Sequence, residues 1–380
     1  MTGESERAGV YLPQPGGHRS FQPKPLPPDP PVAMGLDLQR RLSLADRALG
    51  RLDGSIRTLP NPDLFVFMYV RKEAVLSSQI EGTQSSLNDL LEAEADIFAS
   101  DRPKDVDEVL NYVRAMNYGL ARLHELPVSI RLIREIHAQL LQGVRGSQRQ
   151  PGELRRIQNW IGPSGCTLRE ASFVPPPPQT LGDHLAALET FLHGDDLPAL
   201  IQIGLAHAQF ETIHPFLDGN GRVGRLLIAF LLSQKGILQT PVLYLSHHFK
   251  RHRQAYYDHL QAVRDHGDWE AWLGFFLDGV QQVATEATAT ARAIVDLREA
   301  HSRLIAEQFG RVAGNGLRVL ERLFAKPIIK VQDIVDLTGV TFPAANNLMG
   351  KFVTHGLLVE ITGQARHRQF RYGGYIDLFQ

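Results

Sequence analysis

A twelve-residue segment between two predicted helices places the strongest constraint on how this chain folds. Apolar residues at helical spacing predict helices over 198–213 and over about 221–235. Between them, residues 214–225 read His-Pro-Phe-Leu-Asp-Gly-Asn-Gly-Arg-Val-Gly-Arg. Gly219 and Gly221 allow positive φ angles and a close approach of the backbone to a ligand. The segment therefore predicts a helix–loop–helix unit built around a bound group.

The polar groups of this segment match those that a phosphate ester requires. The first amides of the following helix have no intrahelical partner and point outward at the positive end of the helix dipole, which makes an anion site. Arg222 and Arg225 lie three residues apart on one helix face and can donate charge-assisted hydrogen bonds to phosphate oxygens. Asp218 is a candidate Mg²⁺ ligand. His214 can accept a proton from a hydroxyl nucleophile.

Other interpretations of the segment explain less of it. Residues 219–224 formally match the dinucleotide-binding pattern G-x-G-x-x-G, but that pattern needs a preceding strand and an acidic residue about 20 positions later. Here the preceding residues are helical, and no Asp or Glu occurs between Asn220 and Tyr257. The sequence contains no P-loop motif. A purely structural glycine-rich turn would not explain why one loop concentrates a base, a carboxylate and two arginines.

Composition and charge narrow the class of protein. The chain has 380 residues, 43% hydrophobic and 21% charged, which is typical of two or three globular domains. Forty basic against 41 acidic residues give a net charge of −1, so no global field attracts nucleic acid or membrane. The single cysteine, Cys166, excludes an internal disulfide framework and a Cys-based zinc site. With no long apolar run and no secretion signal, we expect a cytoplasmic protein without membrane contacts.

Shifts in composition predict four regions along the chain. Residues 1–34 hold eight of the 23 prolines and are expected either to lie extended against the body of the protein or to stay mobile. Residues 35–128 and 129–309 have helical periodicity, and residues 310–380 form a smaller C-terminal domain. The predicted helices cover 36–51, 63–81, 84–99, 105–125, 129–144, 180–194, 198–213, 221–235, 246–266 and 269–309. The predicted fold class is therefore all-α.

Residues 145–178 interrupt the helical rhythm. They are rich in Gly, Pro and Gln, and two short extended candidates, 159–162 and 172–174, precede the proline run 175–178. We interpret the region as a loop or a β-hairpin flap between helices.

The C-terminal region, residues 310–380, has the element order of a winged helix-turn-helix. The pattern predicts helices over 317–324, 331–337 and 343–355, followed by wing strands over 357–362 and 369–372. Nine Lys or Arg against five Asp or Glu give a local charge of +4. Such a domain either binds DNA or makes protein contacts, including dimers. The candidates for DNA contact are Thr341, Asn346, Asn347 and Lys351 on the recognition helix, with Lys330, Arg366 and Arg368 on phosphates.

The segment 214–225 resembles the signature of the Fic (filamentation induced by cAMP) domain family, His-Pro-Phe-x-x-Gly-Asn-Gly-Arg followed by a further Arg, and it matches without departure. The flap, the downstream Arg253-x-x-Tyr256-Tyr257 and residues 267–272 are also similar to this family, so the resemblance covers about residues 20–300. It implies a helical enzyme that moves AMP from ATP to a Tyr, Thr or Ser hydroxyl of a protein target, itself included. The resemblance also implies that the enzyme uses Mg²⁺, with Mn²⁺ as an alternative, and that it forms a homodimer.

The resemblance also implies a role for each matching residue. His214 would be the general base, Asp218 the Mg²⁺ ligand, and Arg222 and Arg225 the holders of the phosphate tail. The backbone amides of Gly219, Asn220 and Gly221 would bind the α- and β-phosphates. Tyr257 would line the adenosine pocket. The flap would dock the target as an added strand through Trp160, Ile161 and Gly162.

A second motif lies upstream, at the end of a predicted helix over about 63–82. Ser77 and Glu81 are four residues apart, share a helix face and precede Gly82. An ordinary helix end with a glycine C-cap is one interpretation. The pattern also resembles [S/T]-x-x-x-E-[G/N], the inhibitory helix of the Fic family, which implies that Glu81 pairs with Arg225 in the place of the γ-phosphate.

Two other activities stay open at this point, and the intact motif argues against a third. A carboxylate placed like Glu81 could orient a water for removal of AMP from a modified protein. Relatives of this fold can use UMP or phosphocholine donors, and nothing in the sequence fixes the base as adenine. Phosphorylating relatives replace the second glycine of the motif by lysine, whereas Gly221 is intact here.

Overall fold

The structure, a computed structural model, describes residues 7–57, 59, 62–95, 103–163, 165–238 and 242–379. Within these ranges the helices are α1 (Leu36–Arg57), α2 (Pro62–Ile80), α3 (Leu87–Glu94), α4 (Val106–Arg122), α5 (Ile130–Leu140), α6 (Leu181–Leu192), α7 (Ala199–Ile213), α8 (Asn220–Gln234), α9 (Ser246–Arg251), α10 (Arg253–His266), α11 (Trp269–Gln308), α12 (Ala313–Ala325), α13 (Val331–Thr338), α14 (Phe342–Thr354) and α15 (Gly373–Ile376). The strands are β1 (Gly9–Pro13), β2 (Arg19–Pro23), β3 (Ile328–Lys330), β4 (Val359–Glu360) and β5 (Gln369–Arg371). None of the helices in these ranges is both long and apolar enough to cross a membrane.

Two adjacent helices, α7 and α8, form the centre of the bundle. Every residue of α7 from Leu200 to Ile213 is buried, because the helix is apolar on all sides and is covered by α6, α8, α10 and α11. Gly204 lets α11 approach closely, and the indole of Trp272 donates a 2.8 Å hydrogen bond to the Gly204 carbonyl. The loop between α7 and α8 is therefore held on a rigid support.

Most predicted helices agree with the observed ones to within about four residues, and α1 continues six residues beyond its predicted end at 51. The predicted helix over 246–266 is two helices, because the backbone turns at His252 between α9 and α10. The helix predicted over 84–99 is observed as α3, and its predicted end at 96–99 lies outside the described residues.

The proline-rich N-terminal region forms a hairpin that the sequence did not predict. Strands β1 and β2 pair antiparallel from Gly9 with Pro23 to Pro13 with Arg19. The prolines stand at the ends of the strands, where they do not interrupt the ladder. Phe21 is 1% exposed and packs against Phe173 at 6.0 Å between ring centroids, so the hairpin covers the flap.

The flap itself is a loop with a single antiparallel β-bridge, which joins the two segments predicted to be extended, 159–162 and 172–174. Ile161 and Phe173 exchange two backbone hydrogen bonds of 2.8 and 3.0 Å, and pairing extends no further. Asn159, two residues before the bridge, donates its side-chain amide to carbonyls of the loop after α7.

The C-terminal region combines α12, α13 and α14 with a three-stranded antiparallel sheet in the order β3-β5-β4. Gly339, at φ 72°, ends α13 before the turn into α14. The region packs on α11 and α2, where the ring of Phe379 meets Tyr69 edge-on at 5.4 Å. The elements follow the predicted order, with a first wing strand shorter than expected.

Candidate active site

The backbone of the loop after α7 is bent sharply at both ends. His214 caps α7 in the left-handed conformation (φ 49°), and Gly219 begins α8 at φ 80°. Between them the side chain of Asn220 closes the turn, accepting from the Phe216 amide and donating to the Phe216 carbonyl, both at 2.8 Å. Asn220 thus shapes the loop with its side chain, while its backbone amide stays at the helix N-terminus.

A buried histidine outside the predicted site supports the loop from below. His137 on α5 accepts a 2.8 Å hydrogen bond from the Gly152 amide at Nδ1, so its Nε2 carries the proton and donates to the Asp218 carbonyl at 3.0 Å. Its ring stacks on Phe216 at 3.8 Å. Burial lowers the pKa of His137 to about 4, which keeps the ring neutral and in one tautomer.

Two flap residues hold the loop from the other side. Arg155 donates to the His214 carbonyl at 2.9 Å, and Asn159 donates to the carbonyls of His214 and Phe216 at 3.2 and 2.8 Å. Burial lowers the pKa of Arg155 to about 10, so its guanidinium is still charged at neutral pH. These contacts fix the backbone that carries the candidate base.

The imidazole of His214 has a hydrogen-bond partner at Nδ1, and its Nε2 has none among the residues that the structure describes. Its Nδ1 lies 3.3 Å from the Glu211 carbonyl, which can only accept, so Nδ1 carries the proton and Nε2 is an acceptor. The side chain is 18% exposed. Burial, together with the positive charges of Arg264 and Arg155, lowers the pKa of His214 to about 3. The neutral ring is the form that a general base requires.

The structure brings the two upstream motif residues onto the second arginine of the loop. Arg225 is 2% exposed and donates to the Ser77 hydroxyl at 2.8 Å, the Ser77 carbonyl at 3.0 Å and Glu81 Oε1 at 2.7 Å. Burial alone would raise the pKa of Glu81, but the charge of Arg225 outweighs it and the pKa is lowered. Gly221 leaves room for the carboxylate, since a Cβ there would overlap Glu81 Oε1.

The end of α2 also has the geometry of an ordinary glycine-terminated helix. Gly82 has φ 96°, and the amides of Glu81 and Thr83 both donate to the Ser78 carbonyl. The turn that ends the helix is therefore the same turn that presents Glu81 to Arg225.

The first arginine of the loop, Arg222, pairs with acidic side chains other than Glu81. Arg222 is 2% exposed, donating to Glu108 of α4 at 3.2 Å and to Asp218 at 3.4 Å. Glu108 also pairs with Arg145 at 3.2 Å. Arg222 therefore sits beside the candidate metal ligand rather than beside the second arginine, although the two share the same stretch of helix.

The carboxylate of Asp218 fits a Mg²⁺ ion that is shared with phosphates. Its side chain is 37% exposed, and the backbone of Gly146 approaches Oδ2 so closely that a Cβ would lie 2.9 Å from it. Within the described ranges, no three His, Cys, Asp or Glu side chains gather into a metal cage. A single carboxylate that supplements phosphate and water oxygens is the arrangement in which Mg²⁺ is commonly bound.

The remaining site candidates are Tyr257 and three residues of the flap. Tyr257 is 38% exposed, and its pKa is raised by burial and by the charge of Glu81, which places its ring near the Glu81–Arg225 pair. Trp160 of the flap is 41% exposed, with its indole donating to the Cys166 carbonyl at 3.1 Å. Gly162 packs against Cys166, where a Cβ would come within 2.6 Å of the sulfur. The adjacent Ile161 forms the single bridge of the flap.

Sequence reasoning missed the residues that reach the loop from distant elements, namely His137, Arg155, Asn159 and Glu108. Two of them carried a weak sequence signal for a role at the site. Asn159 lies in a segment predicted to be extended, and Glu108 lies on an amphipathic helix. Their partners in the loop are 55 to 114 residues away in sequence.

Comparison with known proteins agrees with the geometry of the loop. Residues 39–121 match the family model described as Fic/DOC family N-terminal, and residues 127–232 match the Fic/DOC family model. Proteins named "Protein adenylyltransferase Fic" from Culex quinquefasciatus and Drosophila grimshawi are 31% and 32% identical over 177 and 176 residues. These matches span 45% of this chain, but only 32% and 33% of the relatives' length.

Solved structures share the fold at lower sequence identity. A Fic family protein from Desulfovibrio desulfuricans has a TM-score of 0.60 at 18% identity, covering 90% of this chain and 97% of that one. A Fic domain containing signaling protein from Bacteroides thetaiotaomicron has a TM-score of 0.51, also at 18% identity, covering 67% and 95%. Because two consecutive family models match and the second contains the loop 214–225, the chain belongs to the Fic/DOC family.

Proposed function

We propose that this chain is a protein adenylyltransferase, which moves AMP from ATP to a Tyr, Thr or Ser hydroxyl of a protein target. The observation that carries the proposal is the short loop in which His214, with an unprotonated Nε2, ends α7 and the N-terminus of α8 begins at Gly219. A proton acceptor next to an anion site is what hydroxyl attack on a phosphate needs. The names of the relatives support AMP as the transferred group.

The reaction balances with the residues of this chain. The hydroxyl oxygen forms a bond to the α-phosphorus while its proton passes to Nε2 of His214. The bond from the α-phosphorus to the oxygen bridging the β-phosphate breaks, and pyrophosphate leaves with that electron pair. The amides of Gly219, Asn220 and Gly221 hold the phosphates in line for attack. Proton transfer to His214 contributes about 10²–10⁴-fold to the rate.

Asp218 would hold a Mg²⁺ or Mn²⁺ ion, which, when bound, neutralises negative charge on the phosphates. The hydrogen bond from His137 to the Asp218 carbonyl holds the backbone of this residue in place. The neighbouring Arg222 keeps one carboxylate oxygen oriented at 3.4 Å.

In the proposed resting state Glu81 inhibits the enzyme. Its carboxylate lies 2.7 Å from Arg225, the guanidinium that would otherwise bind the end of the triphosphate. ATP must then compete with an internal carboxylate or bind with its α-phosphorus misplaced. Relief of inhibition requires only that the turn after α2 moves, because the pair depends on that turn.

Transfer of label from [α-³²P]ATP with Mg²⁺ tests the activity. We expect Glu81→Gly to label itself and the Glu81→Gly, His214→Ala double variant not to, because the double variant lacks the base. His193→Ala, which removes an exposed histidine at the end of α6, is the matched control and should label like its parent. Labelling by [α-³²P]UTP but not ATP would assign a different donor, and equal labelling without His214 would contradict the mechanism.

DNA binding through residues 310–380 is a second candidate function. The element order of this region and the exposure of Thr341, Phe342 and Asn347 at the start of α14 favour it. Arg368, however, donates to Asn346 at 3.0 Å and is partly occupied. A salt-dependent mobility shift of duplex DNA would support this function, and no shift at low salt would leave the region a protein-contact domain.

A homodimer, as the family resemblance implies, is the proposed assembly. Sedimentation equilibrium of the full chain tests it directly, with a mass near 42.4 kDa marking a monomer.

A further inference from the structure

One buried carboxylate beside the candidate base has no role in the mechanism above. Glu211 lies three residues before His214 on the last turn of α7 and is 6% exposed. Its Oε2 is 4.0 Å from His214 Nδ1. Its Oε1 is buried and has no hydrogen-bond partner among the described residues. A buried acidic group without a partner is costly to a fold, so its presence calls for a function.

The surroundings of this carboxylate hold it in one place. Gly224 of α8 packs directly against it, since a Cβ at that position would lie 2.5 Å from Oε1. Arg264 of α10 donates to the Glu211 carbonyl and to the Thr212 hydroxyl, both at 3.2 Å. The carboxylate therefore keeps its distance to His214 without a hydrogen bond of its own.

Charged and titratable groups face Glu211 from every element packed on it. Arg225 of α8 and Arg264 of α10 are positive, Glu81 after α2 is negative, and the phenol of Tyr256 on α10 is neutral at ordinary pH. The imidazole of His214 is neutral in the resting site. The positive charges are thus fixed, and His214 is the group whose charge changes during the reaction.

We propose that Glu211 is a positioning residue for His214, whose carboxylate is the counter-charge of the imidazolium that forms when His214 takes the proton of the attacking hydroxyl. The proposal rests on the proposed function, in which that proton moves to Nε2. The proton stays on His214 and Glu211 accepts none. Nδ1–H remains on the Glu211 carbonyl, and the carboxylate 4.0 Å away stabilises the new positive charge.

A pH dependence follows from this arrangement. Burial raises the pKa of Glu211 to about 7, against the opposite effect of Arg225 and Arg264, and the charge of Glu81 raises it further. The counter-charge is present only when Glu211 is ionised, so transfer should rise with pH through the neutral range. We call this rising part of the pH–rate profile the acidic limb. Removal of Glu81 lowers the pKa of Glu211 and therefore moves the acidic limb to lower pH.

The kinetic test compares Glu211→Gln with Glu73→Gln, both in the full-length Glu81→Gly chain. Glu73 of α2 is a matched control, because it is also buried, its pKa is also raised by burial to about 7, and it also faces Arg225, but it bonds Tyr112 and Ser246 rather than approaching His214. We expect Glu211→Gln to lower kcat by about 10–10²-fold, which is less than the roughly 10²–10⁴-fold contributed by the general base itself, and to lose the acidic limb. KM for ATP should change by less than about twofold, because Glu211 touches no substrate. Glu73→Gln should retain the limb.

An NMR titration of the unmodified full chain tests the same contact without activity or substitution at Glu211. His214 itself does not titrate in the neutral range, so a shift of its ¹⁵Nδ1 and ¹³Cε1 resonances with a midpoint near 7 reports the neighbouring carboxyl. Glu211→Gln should abolish that shift and Glu73→Gln should not. If the Glu81→Gly parent fails to label, the proposed function fails while this titration still tests the contact. No shift near neutral pH, or an acidic limb retained in Glu211→Gln, overturns the proposal.

Discussion

The two arginines of the loop are equally buried, but their acidic partners differ. Arg222 has a partner that is fixed in place, whereas Arg225 has a partner that can be removed. Arg225 and Arg222 are each 2% exposed, and each pairs with a glutamate from the N-terminal helical region. Glu81 is 33% exposed and stands in a turn beyond the end of α2. Glu108 is 7% exposed, lies in the first turn of α4 and binds Arg145 as well.

The difference shows that the backbone and solvent around an ion pair, more than its charges, decide whether the pair is fixed or can be removed. Glu108 is held by a helix, by the helix dipole at its N-terminus and by two arginines. Glu81 can reach water, and its departure leaves Arg225 with both Ser77 contacts. We therefore expect Glu108 to contribute chiefly to stability and Glu81 chiefly to control of the site.

The largest expected effect concerns the fixed pair. Glu108→Gln leaves Arg222 buried without its main counter-charge, which should lower the free energy of unfolding by about 3 kcal/mol. Self-labelling should not rise. Urea unfolding followed by circular dichroism measures the first quantity, and the ATP assay measures the second. A variant that labels faster at unchanged stability would reverse the assigned roles of the two glutamates.

Replacement of Glu81 should change the activity rather than the stability of the protein. Glu81→Gly frees Arg225 for phosphate, and we expect self-labelling to rise by about 10–10²-fold, equivalent to about 1.4–2.7 kcal/mol. Glu81→Gln, which keeps the shape of the side chain and removes its charge, is the conservative control and should also activate. Equal labelling of wild type and both variants would refute inhibition by Glu81.

A smaller effect is expected from the hydroxyl that helps Glu81 hold the arginine. Ser77→Ala removes the 2.8 Å contact to Arg225 Nε but leaves the carbonyl contact, so labelling should rise by about two- to fivefold, from about 0.5–1 kcal/mol. The neighbouring Ser78 is also buried, and its hydroxyl has no partner among the described residues, which makes Ser78→Ala the matched control. If both variants behave alike, the Ser77 contact plays no part in inhibition.

The smallest effect should be that of pH on the inhibitory pair. Burial opposes ionisation of Glu81, but the charge of Arg225 outweighs it and holds the pKa of Glu81 below its ordinary value. A carboxyl with a depressed pKa contributes its pairing energy above the unfolded value and loses it only as pH falls through the folded value. The ratio of labelling with glycine at position 81 to labelling with Glu81, both measured in the Glu211→Gln background that removes the titration of Glu211, should therefore stay constant between about pH 6 and 8. A ratio that collapses within that range would show that Glu81 is not a permanently charged inhibitor.

Much of the fold could be predicted from the sequence because helical periodicity is a local signal. The helices that carry the site, α2, α7 and α8, lie within one residue of their predicted bounds. The N-terminal hairpin was missed because its proline content hides two five-residue strands whose stability comes from Phe21 packing under the flap. The turn at His252 was missed because apolar spacing continues across it.

The sequence by itself determined which groups could do chemistry: a histidine, a carboxylate, helix-start amides and arginines within twelve residues, and a second motif with a glutamate four residues after a serine. Tertiary structure alone decided how they are used, because contacts over more than a hundred residues leave no periodic trace. It separated Arg222 from Arg225, placed Glu81 against Gly221 and buried Glu211 beside His214. Burial in turn sets the protonation of these groups, since desolvation depends on every element packed around them.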